Sequence, residues 1–166
     1  MMVPRLRLAL ALSTLAAAAA LGTAFASEWW GGLVPCALCL VERWPYRVAI
    51  GLGLLGLVLP RPLARLAGWL LVLAVLAGAA AALVHVGVER GAWPSPLPEC
   101  AAPRFSGGSI AERLAHMPAR PSKACEDPTY LIPGLPVSMA AMNLIFALAV
   151  SAGLATFLWR SRRSDP

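Results

Sequence analysis

Four predominantly apolar runs, at about residues 6–26, 41–59, 66–88 and 135–159, dictate what this chain can become. A hydrocarbon core about 30 Å thick is crossed by roughly 20 helical residues. Inside lipid no water satisfies backbone groups, so each run is expected to be a membrane-spanning helix. Of 166 residues, 59% are hydrophobic and only 13% are charged, which excludes a water-soluble globule. The expected fold is all-α: one integral membrane domain over 1–166, a four-helix bundle with outward loops at 27–40 and 89–134. Small residues at four-residue steps, Gly78 with Ala82 and Ala147 with Ser151 and Ala155, supply close-packing stripes between helices.

The net charge of +6 does not form a nucleic-acid-binding stripe. Arg5 and Arg7 precede the first run, Arg61 and Arg65 sit between the second and third, and Arg160, Arg162 and Arg163 follow the fourth. Four crossings put all of them on one side, which the positive-inside rule makes cytoplasmic, together with both termini. Arg90, Arg104, Arg113, Arg120 and Lys123 dilute this bias in the long loop, and Arg43 and Arg47 oppose it at the outer end of the second run. Charges placed against the rule call for a functional reason. The first run, ending in Ala24-Phe25-Ala26, also fits a secretory signal, but its apolar stretch is longer than such signals carry, so retention is expected.

The turn Pro60-Arg61-Pro62 ends the second run, since proline cannot continue the helical ladder. The loop 89–134 is too polar to enter lipid and too long for a connector. Within it Ser109 and Glu112 make a capping-box pattern, and Ile110, Leu114 and Met117 share one helical face. A short surface helix over 109–117 is expected, with Arg113 and His116 turned to headgroups or water.

All four cysteines fall in or beside the outer segments: Cys36 and Cys39 as a close pair, Cys100 and Cys125 far apart in the long loop. Outside the cytosol an even number of cysteines normally means disulfides, and three pairings are possible, with Cys36–Cys39 plus Cys100–Cys125 the most local. A bond between Cys100 and Cys125 would brace the loop. A ring as small as Cys36–Cys39 constrains little chain, and Cys-x-x-Cys is better suited to exchanging electrons with a second dithiol. Should the second helix begin near Leu38–Leu40, its free N–H groups and dipole favour a thiolate at Cys39. Arg43 lies one turn further on the same face, and Glu42 is placed to orient Arg43 or to pair with Arg47. Tetrahedral zinc on four cysteines usually needs two close pairs, so no metal is expected.

Together these residues resemble one family. Four spans, a first outer loop ending in Pro-Cys-x-x-Cys with Glu42-Arg43 behind it, and a second loop carrying Trp93-Pro94-Ser95-Pro96 before Cys100 and then Cys125, are similar to the disulfide bond formation protein B (DsbB) family of bacterial inner membranes. The resemblance implies a multi-pass enzyme with its cysteine loops in the periplasm. It would reoxidise a thioredoxin-fold oxidase of the DsbA type and pass the electrons to ubiquinone or menaquinone. Cys100 would take the partner's attack, Cys125 would attack a Cys36–Cys39 disulfide, Cys39 would act on the quinone with Arg43 polarising its oxygen, and Cys36 would restore the bond. Pro94, Pro96 and Pro98 are expected to hold the approach to Cys100 extended for docking. The family's histidine near the end of the third span aligns with Gly87, so His85 and Glu89, which share a helical face, are the candidates to line the quinone pocket. Asn143 is expected to bond a neighbouring helix. The competing readings are a non-enzymatic bundle with loop-bracing disulfides, and a membrane reductant, which would keep its cysteines within the spans.

Overall fold

The computed structural model describes residues 2–100, 109–111, 123–132 and 134–163. Four long helices carry most of these: α1 Met2–Trp29, α2 Ala37–Val58, α3 Arg61–Glu89 and α4 Met139–Arg163. A single 3-10 turn, Pro98–Cys100, precedes the loop. Helix α3 packs along both α2 and α4, and α1 closes the bundle chiefly against α2. Leu10, Leu71, Val75, Ala147 and Leu158 form the centre of the core.

Each boundary has a local cause. Pro60 caps α3 and Pro62 sits in its first turn, where a missing N–H costs nothing, so α3 starts earlier than the apolar run that predicted it. At its other end Gly91 takes a left-handed φ of 67°. Ala92 N then donates to Gly87 O at 2.8 Å and Gly91 N to Val88 O at 3.0 Å, a Schellman closure. Ser138 caps α4 by accepting from Ala141 N, so α4 begins four residues after the expected span. Helix α2 begins at Ala37, which moves Cys39 and Leu40 from the expected loop into the helix.

Three helices are long and apolar enough to cross a membrane: Pro4–Trp29, Arg61–Glu89 and Met139–Ser161. Helix α2 carries Glu42, Arg43 and Arg47, yet it is turned inside out relative to a soluble helix. Glu42 and Arg43 are buried in the bundle, whereas Val41, Trp44, Val48, Leu54 and Leu55 face outward. Polar inside and apolar outside is the distribution that lipid selects. The chain is a membrane protein. Of the expected surface helix, Ile110 and Ala111 are helical, while Glu112, Arg113, Leu114, His116 and Met117 lie outside the described residues.

Close approach of α1 to α2 depends on Gly53, where an added Cβ would fall 1.9 Å from Thr14 Oγ1. That hydroxyl is itself committed to Leu10 O at 2.7 Å. Gly53→Ala is therefore expected to cost about 1–3 kcal/mol, the usual penalty for overpacking. Denaturant unfolding in detergent would measure it. Gly51→Ala, with open space around its Cβ, is the control and should change little.

Candidate functional site

Cys36 is the N-cap of α2, with φ −83° and ψ 171°, and its sulfur accepts from Cys39 N at 3.2 Å. The stabilising helix N-terminus therefore serves Cys36 and not Cys39, which corrects the expectation from sequence. The side chain of Cys39 hydrogen-bonds the Cys36 sulfur and holds that thiol below its ordinary range, against the opposing effect of burial. Both thiols are free, with sulfurs 2.8 Å apart, and closing the bond requires only a small movement. Cys100 and Cys125 share a disulfide with a sulfur separation of 2.01 Å. Cys36, Cys100 and Cys125 are buried in one cluster with Leu38 and Val88, so the fold brings the two pairs together. Backbone pairing of Cys36 with Lys123 ties the long loop onto the start of α2.

Behind Cys36 stands a chain of polar side chains from three helices. His85, on α3, places Nε2 3.4 Å from Cys36 Sγ, and its Nδ1 donates to Glu42 Oε1 at 2.7 Å. The other oxygen of Glu42 accepts from Asn143 Nδ2 of α4 at 2.6 Å, and Tyr46 OH donates to Asn143 Oδ1. An ionised carboxylate only accepts, so the Glu42 contact puts the ring proton on Nδ1 and turns the Nε2 lone pair toward the thiols. Two donors compensate the burial of Glu42.

Arg43 projects from the neighbouring position of α2. Its Nη1 donates to Glu28 Oε2 at 2.8 Å, and its guanidinium lies 4.9 Å from the centre of the Phe25 ring. Its buried Nε has no hydrogen-bond partner among the described residues. Arg47, exposed, lies over the Trp44 ring at 5.0 Å. Glu42 thus contacts neither arginine: Arg43 finds its acid on α1, and Arg47 snorkels outward along a tryptophan.

Cys39, Glu42, Arg43, Tyr46, His85 and Asn143, with the hydroxyl residues Thr23, Ser27 and Thr129, supply the polar part of the wall of a cavity of about 300 Å³. Its remaining wall is mostly apolar, from Ala20, Leu33, Leu131, Met139 and Phe146 among others. Such a space, apolar with a few convergent donors, suits a flat organic ligand. Asn143, expected only to bond another helix, both does so and faces this cavity. Glu89 does not belong to the wall. It stands one turn beyond His85, where Ser138 donates to it, and its other oxygen is 4.0 Å from His85 Nε2. Gly87, the position that the family alignment singled out, is covered by Trp93: an added Cβ would sit 1.9 Å from its ring. Trp93 is held there by donating from Nε1 to Val84 O at 2.9 Å.

The approach to Cys100 also departs from expectation. Pro98–Cys100 close into a 3-10 turn, with Cys100 N donating to Leu97 O, and Cys100 is 1% exposed. The loop must open before a partner's sulfur can reach it.

Comparison with known proteins agrees with this geometry. The family model described as disulfide bond formation protein DsbB matches residues 6–157. An uncharacterized protein of Rickettsia prowazekii (strain Madrid E) is 30% identical over 147 residues, covering 87% of this chain and 84% of its own length. No solved structure matches. With nearly every helical residue inside the matched range and two cysteine pairs packed together at one end of the bundle, the chain belongs to the DsbB family of disulfide oxidoreductases.

Proposed function

We propose that this protein reoxidises a thioredoxin-fold dithiol oxidase of the DsbA type and passes the electrons to a membrane quinone, ubiquinone or menaquinone. The observation that carries the reading is the position of Cys39, which is hydrogen-bonded through its sulfur to Cys36 on one side and lines the apolar cavity beside Arg43 on the other. Cys36 in turn packs with the Cys100–Cys125 disulfide. Electrons entering at the loop pair thus have a short route to the cavity.

The exchange balances as follows. The partner's thiolate attacks Cys100, Cys125 leaves, and the partner's second thiolate releases itself as a disulfide. Cys125 and Cys100 then reduce a Cys36–Cys39 disulfide and regain their own bond. Two electrons and two protons now reside on Cys36 and Cys39. A bound quinone supplies the sink for both. His85 Nε2 lies where it can take the Cys36 proton, with Glu42 fixing the ring. The guanidinium of Arg43, which lines the ligand-sized cavity, is a charged donor of the kind that holds a carbonyl oxygen. A role confined to bracing loops would give no reason for His85, Glu42 and Arg43 to converge there.

The bacterial inner membrane fits the same picture. Arg5, Arg61, Arg65 and Arg160 gather around one pocket at the end of the bundle opposite the cysteines, which argues for four crossings with cytoplasmic termini and periplasmic cysteine loops. Purified protein supplied with quinone and a reduced thioredoxin-fold oxidase should oxidise many equivalents of the latter while quinone absorbance falls. Absence of turnover with both ubiquinone and menaquinone analogues would overturn the reading. A reduced partner that lacks its second cysteine should be trapped on Cys100 of the unmutated protein, Cys125 being released as a thiol, in a mixed disulfide visible on a non-reducing gel.

A further inference from the structure

We propose that the reduced protein holds a thiophilic divalent ion, Zn²⁺ by its chemistry, on Cys36 Sγ, Cys39 Sγ and His85 Nε2. The three ligand atoms come from two helices and lie within 4.8 Å of one another. The cysteines alone make no such site, since the second pair is not close in sequence and Cys100 and Cys125 are bonded to each other. His85, brought in by α3, supplies the missing third ligand.

Three features fit such an ion. Cys36 and Cys39 have the two-residue spacing of zinc-binding pairs, and two thiolates with one imidazole form a donor set known from zinc enzymes. Zn–S bonds of about 2.3 Å set tetrahedral sulfurs apart by roughly 1 Å more than the 2.8 Å seen here, a change that a turn of the half-buried Cys39 side chain provides. Most specifically, Glu42 already accepts from His85 Nδ1 at 2.7 Å, and Asn143 anchors Glu42. A carboxylate behind the ring is the arrangement that orients metal-binding histidines and raises their basicity. With three protein ligands, one tetrahedral position is left for water.

Binding converts two thiols to thiolates and releases two protons, and no electrons move. Sulfur lone pairs held on the ion are not available to form the Cys36–Cys39 bond, so the ion and the oxidation compete for one state of the protein. This inference uses the sulfurs of the proposed redox pair but not their oxidation, and it can fail while quinone turnover stands, or hold while turnover fails.

The test is Cd²⁺ titration of the reduced full-length chain in detergent, without quinone or partner, followed by thiolate-to-metal absorption in the near ultraviolet. Cys100→Ser/Cys125→Ser serves as background to remove the loop thiols. One equivalent should bind, Zn²⁺ should displace it, and Cys36→Ser or Cys39→Ser should abolish the signal. His85→Gln should weaken affinity by at least tenfold, and Glu42→Gln by roughly 10- to 100-fold, the range for groups behind a metal-bound histidine. Helix content by circular dichroism identifies any variant that misfolds. In unmutated protein Zn²⁺ should protect Cys36 and Cys39 from alkylation, a readout that needs no variant. Affinity unchanged in a folded His85→Gln, or alkylation unaffected by Zn²⁺, would overturn the proposal.

Discussion

Cys39→Ser is expected to abolish multiple turnover while leaving one equivalent of partner oxidation intact. The Cys100–Cys125 disulfide does not depend on Cys39, so it still accepts two electrons from the partner once its loop opens. Those electrons then have nowhere to go: serine forms no disulfide with Cys36, and the cavity wall loses its cysteine. Cys100→Ser should stop the reaction one step earlier, with no equivalent consumed. Thiol counting after mixing with excess reduced partner separates the two, the first variant yielding one oxidised equivalent and the second none, while quinone absorbance stays constant in both. Continued turnover in Cys39→Ser would remove the residue from the electron path. The expected loss is complete because thiol–disulfide exchange proceeds only through sulfur.

The apolar runs, the spacing of the cysteines and the residues around them made the helical bundle and the family legible from the chain alone. Runs of this kind report burial in lipid directly, and a motif confined to one turn needs no knowledge of tertiary contacts. What could not be read was how the helices meet. Glu42 looked like a partner for the adjacent arginines because i to i+4 neighbours are visible in sequence. Its actual partners, His85 and Asn143, lie on other helices, and nothing in a single sequence sets the rotation of α3 or α4 about its axis. Glu28, which pairs with Arg43 from α1, is illegible in the sequence for the same reason. Cys36 took the cap position that sequence had left to the residues after it. A shift of one to three residues at a helix start is enough to make Cys36 the cap, which accepts the N–H of Cys39. Gly87 and His85 show the limit of alignment: the chain puts a tryptophan over the expected position and presents a histidine from two residues earlier.

Arg43→Gln should lower kcat/KM for quinone by about 10- to 100-fold with most of the change in KM, since a hydrogen bond from a charged donor contributes about 1.5–3 kcal/mol. The guanidinium is fixed from two sides, by Glu28 at 2.8 Å and by the Phe25 ring, so it enters the cavity wall already oriented. One of its terminal nitrogens is committed to Glu28, and the residue lines the cavity, so the rest of the fork supplies the donor for an incoming oxygen. Lysine keeps the charge but gathers its three donors on one nitrogen, without the planar fork that holds Glu28 from one nitrogen and leaves others for a second acceptor. Arg43→Lys should therefore recover only part of the loss. Glu28→Gln preserves the arginine and one acceptor oxygen, so its effect should be the smaller of the two. Single-turnover exchange between the partner and Cys100–Cys125 should be unaffected in all three variants, because that pair lies on the loop side of Cys36 and not in the cavity. Steady-state rates against quinone concentration give the KM and kcat split. An unchanged KM in Arg43→Gln would assign the arginine to packing between α1 and α2, and the oxygen of the acceptor would need another donor.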